Sequence, residues 1–308
     1  MSADVSDIAA PRAQRTAAHA EVRGLLEVVL AMAFAGSSVV VGKLLSTRVP
    51  VFLSVELSLC AALVAILPAQ IARWRELRLL GARELGYMFL QAVFGIVLFR
   101  VFTLSGLHFT SALSAGVITS AAPAVMAVLA ALVLRERLGR GAALGVVLSV
   151  AGLVMINLWS HQQEKGSQPL VGNLLVLAAT MCEALLTVFR KSSGGRIGSI
   201  TNTTVLVSMS ALMILPFAAL DLRGVALSQI DAVGWLSLIY YGAVATVIAY
   251  ILWGHGALRI PANRTGIATA ALPVTALILS ALVLGEPLGP AHFAGCAAVI
   301  AGIILGNL

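Results

Sequence analysis

Apolar residues in this chain run in stretches of about 20 positions, parted by short polar loops, and the stretches lack the polar face of a soluble surface helix. Ten of them are long enough to cross a hydrocarbon core about 30 Å thick: 25–45, 51–70, 85–105, 111–134, 141–159, 170–189, 200–220, 235–255, 262–284 and 291–308. The pattern predicts ten transmembrane helices. A β-barrel would need short alternating segments split by turn residues, and the continuous runs argue against one.

The pattern also repeats. Gly106, Ala112, Gly116, Thr119, Pro123, Leu134, Glu136, Gly139, Gly145, Gly152 and Asn157 return at one fixed spacing as Gly256, Ala262, Gly266, Thr269, Pro273, Leu284, Glu286, Gly289, Gly295, Gly302 and Asn307. The aligned segments are gapless and identical at about a third of positions, the mark of one duplicated unit. The expected units are 25–159 and 170–308, each of five spans, joined by an outer linker at 160–169. Residues 1–24 read as a polar, alanine-rich, disordered cytoplasmic tail.

Composition agrees: 60% of residues are apolar and 11% charged, against about 25% charged in an average soluble domain. The charges that remain are sorted by side. Arg12, Arg15 and Arg23 precede span one; Arg73, Arg75, Arg78 and Arg83 follow span two; Arg135, Arg137 and Arg140 follow span four. Arg190, Lys191 and Arg196 follow span six, and Arg259 and Arg264 follow span eight, whereas the intervening loops hold only Arg48, Lys165 and Arg223. Because basic residues near a span stay on the cytoplasmic side, both termini are expected in the cytoplasm of an inner (plasma) membrane protein. The net charge of +7 then reflects basic residues facing anionic lipid heads, with no nucleic-acid partner.

Five crossings are an odd number, so the second unit enters the membrane upside down. Glu136 lies among arginines, and its counterpart Glu286 lies in Gly285-Glu286-Pro287-Leu288-Gly289, without Lys or Arg. The expected fold is an all-α integral membrane protein with ten helices in two inverted five-helix repeats. That arrangement points to a secondary transporter working by alternating access around a midplane cavity.

The run Leu107-His108-Phe109-Thr110-Ser111-Ala112, then Pro123, then Leu134-Arg135-Glu136-Arg137-Leu138, then Gly145 and Gly152, resembles the repeat of the drug/metabolite transporter superfamily, in particular its EamA-like exporters. The resemblance covers about residues 25–308. It implies small-molecule export, often of amino acids or related metabolites, through a cavity walled by spans one, three, four, six, eight and nine. One feature departs from it: where the family often carries an Arg after the proline opening span two, this chain has Glu56 after Pro50.

Ionisable residues within a span cost about 2.5–3.5 kcal/mol each at the helix centre, so the few present are candidate substrate contacts. Arg100 can hold a carboxylate bidentately, and Glu183 can hold an amino group or a proton. Together they suit a zwitterion. The alternatives are that Arg100 reaches the outer headgroups and that Glu183 pairs with Arg190 or Lys191. Lys43 reads either as a transport residue or as one snorkelling from a helix end, and Glu56 either as a transport residue or as a partner neutralising Lys43 or Arg100. The expected cavity lining is Phe34, Ser37 and Ser38 in span one, Phe99 and Arg100 in span three, Thr119 in span four, Glu183 and Thr187 in span six, Thr246, Tyr250 and Trp253 in span eight, and Thr269 in span nine. Trp253 reads equally as an interface anchor, and Tyr240 and Tyr241 as lipid-facing. Pro123 and Pro273 stand halfway along spans four and nine, where a missing N–H makes either a hinge or a static kink.

Several other functions lack support. Gly36 to Lys43 has the wrong glycine spacing for a phosphate loop, and Cys60, Cys182 and Cys296 are isolated. No cofactor, metal site or enzymatic constellation is expected. A channel would show a ring of like residues. Ala33-Phe34-Ala35 has a cleavage-like pattern, but the apolar run continues to Leu45 and cleavage would break the symmetry. The partners expected are a small solute and membrane lipid. The small residues of spans five and ten leave the choice between a monomer and a weak homodimer. The substrate favoured is an amino acid or another small amphipathic metabolite; the alternative is efflux of cationic drugs drawn by Glu183.

Overall fold

The computed structural model describes residues 6–133, 139–163, 168–192, 197–257 and 259–306. Among them the regular structure is helical: α1 (Ser6–Ser46), α2 (Val51–Ile71), α3 (Ala82–Ala92), α4 (Phe99–Phe109), α5 (Ala112–Ser120), α6 (Ala122–Val133), α7 (Arg140–Gln163), α8 (Pro169–Ser192), α9 (Ser199–Asp221), α10 (Ala232–Ile239), α11 (Ala249–Gly256), α12 (Ala262–Ala268), α13 (Ala271–Leu284) and α14 (Pro290–Gly306). Helix α1 begins inside the expected disordered tail, because its alanine-rich opening favours helix on intrinsic propensity.

Among the described residues, seven helices are long and apolar enough to cross a membrane: Ala20–Ser46, Val51–Ile71, Ala82–Phe109, Pro169–Leu186, Ser199–Asp221, Ala232–Gly256 and Arg264–Leu284. Three shorter apolar helices, Ala112–Met126, Ala143–Gly152 and Pro290–Gly306, fall where the other expected spans lie. Large side chains such as Val64, Leu212, Leu236 and Leu282 stand on the outside of the bundle. Hydrocarbon solvates such a surface without the penalty water would impose. The chain is a multi-pass membrane protein.

Two of the long helices are not α-helical throughout. A π-helical segment, Val93–Leu98, joins α3 to α4, and another, Tyr240–Ile248, joins α10 to α11. The two overlap when the chain is shifted by the spacing of the repeat. In the second, Thr246 Oγ1 donates to Tyr241 O across five residues at 2.7 Å, occupying a carbonyl within the widened turn.

Helices that correspond in the two units pack antiparallel. At the start of α2, Leu53 N donates to Asp221 Oδ2, at the end of α9, at 3.1 Å; at the start of α9, Thr201 donates to Glu76 Oε2, just beyond α2, at 2.7 Å. The N-terminal part of α7 lies on the C-terminal part of α14, and a Cβ added at Gly302 would stand 2.7 Å from Gly145 O. The small-residue faces of α7 and α14 therefore cover one another, which accounts for surfaces that otherwise suggest a dimer contact. Leu53, Leu59, Ile66, Met88, Leu104, Leu206, Ile214 and Tyr241 form one buried core joining both halves of the chain.

Both proline-bearing spans are interrupted. The first breaks between α5 and α6, where Ala121 N bonds Ile118 O at 3.1 Å, and the second between α12 and α13, where Ala270 N bonds Ile267 O at 3.1 Å. Hydroxyls beside each break satisfy carbonyls one turn back: Thr119 bonds Ala115 O at 2.8 Å and Thr269 bonds Gly266 O at 2.6 Å.

Candidate functional site

Arg100, on the first turn of α4, is 5% exposed. It points into the bundle, which rules out the reading in which it reaches the headgroups. Its Nη1 donates to Ser58 Oγ of α2 at 2.6 Å, and its Nη2 donates to Thr246 Oγ1 in the second π segment. The Tyr241 ring lies under the guanidinium, with its centroid 4.8 Å from Cζ. Ser58 gives its own hydrogen to Val55 O at 2.8 Å, and Thr246 gives its hydrogen to Tyr241 O. Both hydroxyls therefore turn lone pairs toward the cation. No carboxylate forms an ion pair with Arg100 among the described residues.

Such a cage is costly. Removing a guanidinium from water costs several kcal/mol after relaxation, and neutral partners return only part of it, about 1.5–3 kcal/mol for each charge-assisted hydrogen bond. The cage depends on the π segment meeting α2 closely at Gly242. A Cβ there would stand 2.1 Å from Ser58 O and 2.9 Å from Ala62 N, so no larger residue fits without parting the helices.

Tyr240 donates to or accepts from Ser37 Oγ of α1 at 2.7 Å, and Tyr241 is 4% exposed. Both tyrosines, at the start of the second π segment, thus face the interior, contrary to the lipid-facing reading. Tyr241 interacts electrostatically with Glu183 of α8 as well as with Arg100, and Arg100 interacts with Tyr250. Glu183, Tyr250, Phe34, Ser38 and Phe99 are half-buried. Arg100, Thr246, Tyr250, Glu183 and Ser37 therefore fall around one region, between α1, α2, α4, α8 and the second π segment. Ser58, Tyr240 and Tyr241 join them unforeseen; the only sequence signal was the Tyr-Tyr pair in an aromatic-rich span.

Other expected residues lie elsewhere. Trp253 packs against the cluster of Val28, Ile260 and Ala268, nearer the N-terminus of α1 than Ser37. Thr119 and Thr269 serve the helix breaks, and the side chain of Thr187 lies outside the described residues, as do those of Arg190 and Lys191. Glu136, with its neighbours 134–138, also lies outside them. Glu56 neutralises neither Lys43 nor Arg100: its Oε1 accepts Cys60 Sγ at 3.7 Å, and Oε2 is buried without a hydrogen bond. Lys43 does not snorkel; it caps α4, donating to Leu107 O at 2.6 Å and Thr110 O at 2.7 Å. An open depression of about 490 Å³ lies between the α1–α2 turn and the end of α4, lined in part by Arg48, Val49, His108 and Phe109.

Known proteins resemble this chain. A Bacillus subtilis protein named "Uncharacterized transporter YetK" is 34% identical over 281 residues, spanning 91% of this chain and 85% of its own. A Salmonella typhimurium protein named "Probable amino-acid metabolite efflux pump" is 31% identical over 185 residues, spanning 58% of this chain and 61% of its own. A crystal structure at 21% identity superposes with a TM-score of 0.61, covering 94% of this chain and 98% of the other, a likeness of fold. The EamA-like transporter family matches residues 22–158 and again 170–308. With matches that take in nearly all of both halves, the chain belongs to the EamA-like transporter family.

Proposed function

We propose that this transporter is a secondary exporter in the inner (plasma) membrane, carrying small amphipathic metabolites, amino acids in particular, by alternating access. In this reading, ten spans form two inverted five-helix repeats, 25–159 and 170–308, with both termini in the cytoplasm. The antiparallel pairing of α2 with α9 and of α7 with α14 supports the inversion. The arginine-rich loops support the orientation. The breaks at Pro123 and Pro273 are the hinges. The carrier works as a monomer, since the small-residue faces of α7 and α14 already cover each other.

The observation that carries the substrate class is the Arg100 cage. Among the described residues this buried cation meets hydroxyls and an aromatic face but no carboxylate, and a substrate carboxylate would supply the counter-charge. Glu183, which like Arg100 interacts with Tyr241, would then meet the substrate's amino group. The Salmonella relative's name points to the same class. A second reading, efflux of organic cations, rests on Glu183 alone.

The test is uptake of a labelled amino-acid panel and of quaternary cations into proteoliposomes, with and without a pH gradient. Saturable exchange of one or more amino acids is the expected result. Movement of quaternary cations with none of the amino acids would overturn it in favour of the second reading.

A further inference from the structure

The turn between α4 and α5 is held from several sides at once. Ser111 Oγ meets one of the first N–H groups of α5, accepting from Ser114 N at 3.1 Å as an ordinary N-cap. Yet the Glu286 carboxylate also reaches in, 174 residues further along the chain, accepting from Ala112 N at 2.8 Å and Leu113 N at 2.9 Å. Lys43 of α1 bonds the last carbonyls of α4, and Thr110 Oγ1 donates to Asn173 Oδ1 of α8 at 2.6 Å. The charges match the backbone they meet. The cation sits on the negative, C-terminal end of α4, and the anion on the positive, N-terminal end of α5.

Glu286 is placed by its neighbour. Gly285 ends α13 with φ 65°, a left-handed conformation that a side chain strongly disfavours, and Glu286 N then bonds Ser280 O at 3.3 Å, closing the turn. The chain so reversed delivers the carboxylate from the second unit to a helix start of the first. Charge distribution puts this contact on the face opposite the arginine-rich loops.

We infer that Glu286 and Lys43 form a latch that closes the outer end of the transport path by clasping the α4–α5 turn. This rests on the alternating-access reading above, in which the two units must part on the outer side to release substrate. The Glu286 contacts and the Thr110–Asn173 bond join the turn to the second unit, whereas Lys43 braces it from within the first, and the open depression beside the end of α4 gives the released solute an exit. Opening exchanges the Glu286 contacts for water, so a bound solute that strains the closed form can undo the latch without breaking the core.

The experiment is outer-face labelling in intact cells of a cysteine-free protein carrying Leu113→Cys, whose side chain is 2% exposed beneath the latch. A membrane-impermeant maleimide added outside should label Glu286→Gln and Lys43→Met at least tenfold faster than the parent. Glu286→Asp, which keeps the charge, should fall between them. Melting temperature in detergent separates gating from loss of fold. Faster labelling with an unchanged melting temperature supports the latch. Unchanged labelling overturns it, and so does faster labelling accompanied by a large fall in melting temperature, which would mark a merely structural cap. Labelling requires no known substrate, so failure of the amino-acid panel would leave this result standing, and failure here would leave the panel's answer intact.

Discussion

Replacing Arg100 with Met separates stability from transport. The substitution removes two charge-assisted hydrogen bonds, to Ser58 and Thr246, of about 1.5–3 kcal/mol each, and a desolvated cation–π contact of about 2 kcal/mol. It also removes a buried charge that costs several kcal/mol to keep, and exchanging buried charged groups for apolar ones of similar volume is often neutral or stabilising by about 1–4 kcal/mol. The hydroxyls left behind are not stranded, because Ser58 already donates to Val55 O and Thr246 to Tyr241 O. The terms nearly cancel, so the melting temperature in detergent should shift by only a few degrees. Transport should not survive: loss of about 3 kcal/mol of substrate-carboxylate contact corresponds to roughly a hundredfold in kcat/KM. The assays are a thermal-shift measurement and counterflow with the best amino acid of the panel. Normal counterflow would refute the substrate role of Arg100, and a fall in melting temperature beyond about 10 °C would refute the picture of a costly cation in a neutral cage.

Three further outcomes are expected. Gly242→Val should reduce transport severely, with an overpacking loss of about 1–3 kcal/mol in stability seen by thermal shift, since its Cβ would meet Ser58 O at 2.1 Å and pull α2 off Arg100. Gly302→Leu should lower the yield of folded protein in size-exclusion profiles and leave any surviving protein with near-normal substrate affinity, because the clash with Gly145 O at 2.7 Å lies at the α7–α14 contact, away from Arg100. Glu183→Gln should weaken amino-acid counterflow by removing the contact with the substrate's amino group, measured in proteoliposomes; undiminished counterflow would remove Glu183 from that role.

Much of the fold is written in the chain. Stretches of apolar residues match seven long helices and three shorter ones, and the twin prolines mark both helix breaks. Lys43 and Glu286 show why the site was harder to read. Each is a lone charge near the end of an apolar run, and nothing local reveals that both meet the same turn, at separations of 64 and 174 residues. Glu56 misled for the converse reason: proximity in sequence to other charged spans did not bring it to them.

Sequence by itself determined the apolar lengths, the duplicated unit, the charge asymmetry of the loops and the sites where the backbone must break, because bilayer thickness and the missing proline N–H act on each segment alone. Only the tertiary structure decided which side chains meet. In helices apolar on every side, a period of 3.6 residues gives no face to choose, and each π segment adds a residue to its turn and rotates all that follows. The second segment brings Thr246 onto Arg100, a contact 146 residues apart along the chain, and Tyr240 at its start meets Ser37 of α1.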